Sequence, residues 1–288
     1  MKLKWGAMFA FDHATKDPRS LKDTRFEGVD LIVKSLNAFC NRAAILLYLL
    51  GVHVSVENVS VAYGAIRRLS EDATFMLKRT LLQSLLLELR AMHERDSVTL
   101  GGKSIAAGLC DEKVRSGLID YIDKNRKERG TDDPLLRARC LDYVQKYCAI
   151  LTCSDAKCGL DGHPLAAKMF LVRRMANKAY MHMSADEFNL SKRDLFDVSM
   201  ATIVVACAID MACGDAVLDR DLLDIESRSY ESAGLLLGMR YKGEANHVPF
   251  IRAFLPKWVA SDIEFPRMPR SNEEHTALLD SLNRAYVQ

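Results

Sequence analysis

Apolar residues recur every three or four positions along most of this chain, and that spacing is the feature that most limits its fold. It places an apolar stripe along each helix, and each stripe must be buried against a neighbouring helix. Strand-like alternation occurs in one short piece, residues 52–56, which has no obvious partner strand and is predicted to be an extended connector. The pattern therefore predicts an all-α fold, a multi-helix bundle.

The composition indicates an ordinary globular chain. Of its 288 residues 49% are apolar, which is too many for a disordered protein. The 40 basic and 38 acidic residues leave a formal net charge of +2. That balance excludes a strongly basic nucleic-acid binder, but it is compatible with a local basic patch.

Helix starts and stops divide the chain into three parts. Gly51 is predicted to end the first helix, and Asp133 is predicted to cap a helix that begins at Pro134. The predicted parts are an N-terminal segment 1–25, a helical bundle 26–238 and a proline-containing, irregular C-terminal arm 239–288. The predicted helices are 26–50, 59–95, 103–109, 111–127, 134–152, 164–183, 191–213 and 221–238.

The longest apolar runs, residues 43–52 and 201–208, are shorter than the roughly 20 residues that cross a bilayer. Asp12 and His13 interrupt the stretch in which a signal peptide would be apolar. The sequence therefore predicts a cytoplasmic protein without a membrane partner, whose eight cysteines are reduced thiols.

One predicted helix carries the string Met-Ala-Asn-Lys-Ala-Tyr-Met-His at residues 175–182, followed by a polar loop and Asn-Leu-Ser at 189–191. This string resembles the HEPN superfamily, in particular its abortive-infection branch, where Arg-Asn-Lys is followed by three residues and His. Asn177, Lys178 and His182 match the Asn, Lys and His of that motif. Residues 81–100 resemble the central helix of the same branch and the short helix after it, so the resemblance covers about residues 59–212.

The resemblance implies a helical bundle that usually forms a homodimer and cuts RNA without a metal ion. It implies that His182 exchanges a proton with the ribose 2′-OH, that Asn177 holds the backbone or orients the phosphate, and that an arginine stabilises the phosphate charge. The family's arginine is replaced here by Ala176. The candidates for the missing cation are Arg173, Arg174 and Lys178.

Two functions follow from this motif. The first is a metal-independent ribonuclease or RNA-binding protein of a phage-defence or toxin–antitoxin system. The alternative is a catalytically inactive helical module that binds a protein partner, and Ala176 favours it.

A third hypothesis, a zinc- or redox-linked regulatory domain, depends on Cys148, Cys153, Cys158 and His163, which are spaced evenly by five residues. Thiolate and imidazole are the ligands that zinc prefers, but structural sites usually pair ligands two to four residues apart. The spacing therefore favours a buried Cys148 with loop thiols over a zinc site. No other cofactor is predicted.

Overall fold

The computed structural model describes residues 28–63, 71–94, 100–152, 163–181, 192–218, 222–237, 240–241 and 286–287. These residues form a bundle of eight α-helices, so the predicted all-α fold is confirmed. The helices are α1 (Val29–Tyr63), α2 (Glu71–Met92), α3 (Gly102–Cys110), α4 (Glu112–Asn125), α5 (Pro134–Thr152), α6 (Pro164–Met181), α7 (Lys192–Cys213) and α8 (Leu222–Leu237).

Two short pieces lie outside this helical pattern. A 3₁₀ turn (Gly214–Ala216) follows α7. Within the predicted C-terminal arm, β1 (Arg240–Tyr241) pairs antiparallel with β2 (Tyr286–Val287), and Arg240 lies opposite Val287.

The core lies around α7, which is buried at every position from Leu195 to Ile209. Buried side chains from all eight helices join it in one continuous apolar cluster. The burial explains why α7 is apolar nearly all round, since a helix in the centre of a bundle has no solvent-facing side.

The first predicted helix end is wrong. Helix α1 continues through Gly51 to Tyr63, so residues 52–56 are helical and not an extended connector, and the next helix begins at Glu71 and not at residue 59. Gly51 is needed because α8 crosses here: a Cβ atom at this position would collide with the Ser229 side chain. Val52 and Val56 pack against Leu81 of α2.

Most other helix boundaries agree with the prediction to within two residues. Asp133 caps α5 as predicted, because its carboxylate accepts a hydrogen bond of 2.9 Å from the backbone N–H of Leu135. Asp111 caps α4 in the same way, accepting from the N–H groups of Lys113 (2.9 Å) and Val114 (3.3 Å). The predicted N-terminal segment and the loop 153–162 lie outside the described residues.

Two helical stretches are long and apolar enough to cross a membrane: Val29–Val56, with a mean hydropathy of 1.5, and Asp194–Ala216, with 1.8. In the bundle, 61% and 83% of their most apolar windows are buried. Core helices of a large bundle have the same composition, so the cytoplasmic location stays a prediction.

Candidate functional site

Helix α6 carries the HEPN-like motif, and its side chains divide sharply into an inner and an outer face. Along its described length the exposed side chains after the first residue share one strip, which we call the outer strip: Ala167, Phe170, Arg174 and Asn177. They are three or four residues apart, so they lie one above the other on a helix. The inner face consists of Leu165, Ala166, Met169, Val172, Arg173, Met175 and Ala176.

The two adjacent arginines of α6 have different environments. Arg173 is only 8% exposed, and its guanidinium donates a hydrogen bond to the carbonyl of Leu151 near the end of α5. Arg174 is exposed and makes no hydrogen bond or ion pair with any described residue. Arg174 is therefore the arginine that can meet a ligand, whereas Arg173 joins α6 to α5.

Ala176 stands where the HEPN motif has arginine, and it is 1% exposed. A long cationic side chain at this position would point into the core and lose its hydration. In α6, position 176 thus faces the core, whereas Arg174, two residues earlier, is exposed to solvent.

The remaining motif residues are placed in part. Asn177 is exposed on the outer strip. Lys178 belongs to α6, although its side chain is not described. His182 follows the last residue of the helix, Met181, and lies outside the described part of the chain.

An ion cluster joins the start of α6 to the start of α7. The ammonium group of Lys168 lies 3.2 Å from the carboxylate of Asp194 and also contacts that of Asp197. Burial lowers the pKa of Lys168, but the hydrogen bonds and charges of the two carboxylates outweigh it and leave the pKa above its usual value. The positive charge of Lys168 is thus balanced by the two carboxylates, and the ion cluster fixes the orientation of α6 on the core.

Sequence reasoning missed His93, which is fully buried just after α2. Its Nε2 lies 2.9 Å from the hydroxyl oxygen of Thr202, and that hydroxyl donates to the carbonyl of Val198 at 2.9 Å. A ring proton on Nε2 lets His93 donate to Thr202 while the Thr202 hydroxyl donates to Val198. Thr202 is 109 residues further along the chain, so no local pattern reveals the contact.

The buried His93 ring is neutral. Burial, with a smaller contribution from the positive charge of Arg173, lowers its pKa to about 3. Its Nδ1 has no hydrogen-bond partner among the described residues and lies beside Gly102, at the start of α3. This environment suits a structural histidine of the core and not a group that exchanges protons near pH 7.

The predicted zinc ligands are only partly described. Cys148 is fully buried in α5, and burial raises the pKa of its thiol far above the usual value. His163 directly precedes α6, and its Nδ1 accepts a hydrogen bond of 3.3 Å from the backbone N–H of Leu165. Cys153 and Cys158 are outside the described ranges. Within those ranges no three His, Cys, Asp or Glu side chains are grouped to hold a metal.

A second surface feature is a cleft of about 320 Å³ between α1 and the end of α2. It is lined by Arg42, Glu88, Arg90 and Glu94, and Arg42 is paired with Glu88 at 3.1 Å. Two positive and two negative side chains give the cleft no net attraction for a phosphate backbone. The outer strip of α6 is therefore the better candidate for an anionic ligand.

No family model matches the chain, and no curated protein or solved structure is significantly similar to it. The HEPN resemblance therefore depends on the sequence alone, on the string at residues 175–182 and on residues 81–100.

Proposed function

We propose that this protein is a HEPN-like, metal-independent RNA-binding protein and ribonuclease that acts as a homodimer in the cytoplasm, in phage defence or a toxin–antitoxin pair. The observation that supports it is the outward position of Arg174 and Asn177 on the helix that ends one residue before His182. A cation can stabilise charge on a phosphate, and an imidazole can exchange a proton near neutral pH, so these groups suit metal-free RNA cleavage.

In the proposed reaction His182 takes the proton of a ribose 2′-OH. The 2′-oxygen attacks the adjacent phosphorus, the bond from phosphorus to the 5′-oxygen breaks, and that oxygen takes up a proton from water. The His182 imidazolium then returns its proton to the solvent. The products are a 2′,3′-cyclic phosphate and a 5′-hydroxyl end. Arg174 stabilises the charge that develops on the phosphate oxygens, and Asn177 orients the phosphate.

The proposed dimer follows from a distance. Arg174 precedes His182 by eight residues, which corresponds to about 12 Å along a helix. That is long for two groups of one chain that act on one phosphate. An isologous contact brings His182 of one subunit towards Arg174 of its partner, because both copies present the same surface.

The second candidate function is an inactive module that binds a protein partner. It is favoured by the burial of Ala176, which leaves no cation at the position of the family's arginine. In that case the outer strip of α6 would bind protein and not RNA.

The deciding experiment is cleavage of a mixed RNA pool in EDTA, with product ends analysed by mass spectrometry. We expect wild type to leave cyclic phosphates, His182→Ala to be inactive, and Arg174→Ala to lose at least 100-fold in rate, as for loss of a single charge-stabilising group. Arg139→Ala is the matched control, because Arg139 is also exposed but lies on α5. If the wild-type protein does not cut RNA, the ribonuclease proposal is wrong and the inactive, partner-binding module is the better account.

A separate variant distinguishes the two arginines. Arg173→Ala should lower the free energy of unfolding by about 1–3 kcal/mol, since it leaves the Leu151 carbonyl without its donor. Arg174→Ala should change stability by no more than about 0.5 kcal/mol. If Arg174→Ala destabilised the fold as much as Arg173→Ala, its effect on cleavage would carry no mechanistic weight.

A further inference from the structure

Phe170 is the unusual member of the outer strip. Its side chain is 49% exposed, although the chain offers a large core in which aromatic side chains such as Phe39 are fully buried. It lies four residues before Arg174, so the two side chains are neighbours on the helix surface, with Cβ atoms about 5–6 Å apart. An aromatic ring thus stands next to the accessible arginine.

The charge of α6 indicates what kind of ligand this surface attracts. The helix contains four basic residues, Lys168, Arg173, Arg174 and Lys178, and no acidic residue. Lys168 is neutralised by the carboxylates of α7, and Arg173 is turned into the core. The strip itself contributes an arginine, an amide and an aromatic ring without any carboxylate, which favours an anionic ligand with a flat apolar part.

We infer that Phe170 stacks on an unpaired base of single-stranded RNA while Arg174 binds a phosphate of the same strand. This inference rests on the proposed function and specifies its substrate class. Single-strand binders combine aromatic rings that stack on bases with basic groups along the backbone. A duplex does not offer this contact, because its bases are stacked on one another and only their edges are accessible.

The position of Phe170 on α6 also indicates how the RNA strand would lie on the outer strip. Phe170 is eleven residues before the end of α6 at Met181, which corresponds to about 16 Å, and Arg174 lies between them. A strand whose phosphate is bound by Arg174 therefore has a neighbouring base within reach of Phe170, one turn away on the same strip. The contact fixes the position of the nucleotide next to that phosphate.

The test is fluorescence anisotropy with a labelled 2′-O-methyl oligoadenylate, which lacks the 2′-OH nucleophile, and with the duplex of the same strand. We expect Phe170→Ala to weaken single-strand binding by about 5- to 150-fold, the effect of losing one stacked base. Phe170→Trp should retain the affinity, and the duplex should bind equally weakly to all variants. Phe75→Ala is the matched control, because Phe75 is 62% exposed on α2.

The outcomes separate this inference from the proposed function. If the wild-type protein binds neither the single strand nor the duplex, both this inference and the proposed function fail. If the single strand binds and Arg174→Ala weakens it, but Phe170→Ala behaves like Phe75→Ala, the stacking contact is refuted and the proposed function stands. If Phe170→Ala instead changes the mass measured by light scattering, Phe170 is a subunit contact and the inference is overturned.

Discussion

The buried neutral His93 predicts a defined loss of stability in acid. The ring accepts its proton at about pH 6.5 in the unfolded chain but only at about pH 3 in the folded protein. Between these values the unfolded state binds more protons, so stability falls as the pH decreases. Above pH 6.5 neither state is protonated, and the contribution is fully present.

The size of the effect follows from the two pKa values. Each pH unit between them changes the free energy of unfolding by about 1.4 kcal/mol. Acidification from pH 7.5 to pH 4.5 should therefore remove about 3 kcal/mol through His93 alone. This is a large share of the 5–15 kcal/mol by which domains are typically stable.

The assay is urea unfolding from pH 7.5 to 4.5, for wild type and for His93→Gln. The glutamine amide is expected to retain a donor for Thr202 but does not titrate. We expect the variant to be less stable at pH 7.5, because it loses the edge contact with Phe39. Its stability should, however, fall by about 3 kcal/mol less than that of wild type on acidification.

The control is His163→Gln. Burial, with a contribution from Lys146, lowers the pKa of His163 as well, but this ring is only half-buried. Replacing His163 should therefore change the loss of stability on acidification less than replacing His93 does. Parallel stabilities of wild type and His93→Gln over the whole range would refute the reasoning, as would an NMR titration in which the His93 ring is protonated near pH 6.5.

Three further predictions concern packing and reactivity. Gly51→Ala should destabilise the protein by about 1–3 kcal/mol in urea unfolding despite the better helix propensity of alanine, because the methyl group meets Ser229; Ser229→Ala in the same chain should restore part of the loss, and no rescue would contradict the close crossing. Lys168→Met should lower the free energy of unfolding by about 2 kcal/mol, because it leaves Asp197 beside a second carboxylate without a cation. Adding Asp197→Asn to this variant should reduce the loss, and an unchanged loss would count against the ion cluster. Cys148 should resist iodoacetamide in the native protein and react only after unfolding, because burial raises its pKa and closes access; peptide mapping that finds it labelled in the native state would show that α5 is less well packed than described.

The candidate site could be predicted in part. Arg174, Lys178 and His182 are four residues apart in the sequence, which is readable from spacing alone. Which of Arg173 and Arg174 faces solvent was not readable, because it depends on how α6 is rotated against α5 and α7. Phe170 was overlooked because an aromatic residue in an apolar helix is expected to be buried, although its spacing from Arg174 gave a signal.

The sequence by itself determined the fold class and most helix ends. Apolar spacing specifies a helix, and local groups such as Asp133 before Pro134 specify where it starts, because both act within one or two turns. The tertiary structure alone decided that Gly51 continues a helix and that His93 is neutral. Both depend on residues far away in sequence: Ser229 of α8 passes close to Gly51, and Thr202 of α7 binds the His93 ring. A local pattern cannot record a contact that exists only after the helices have packed.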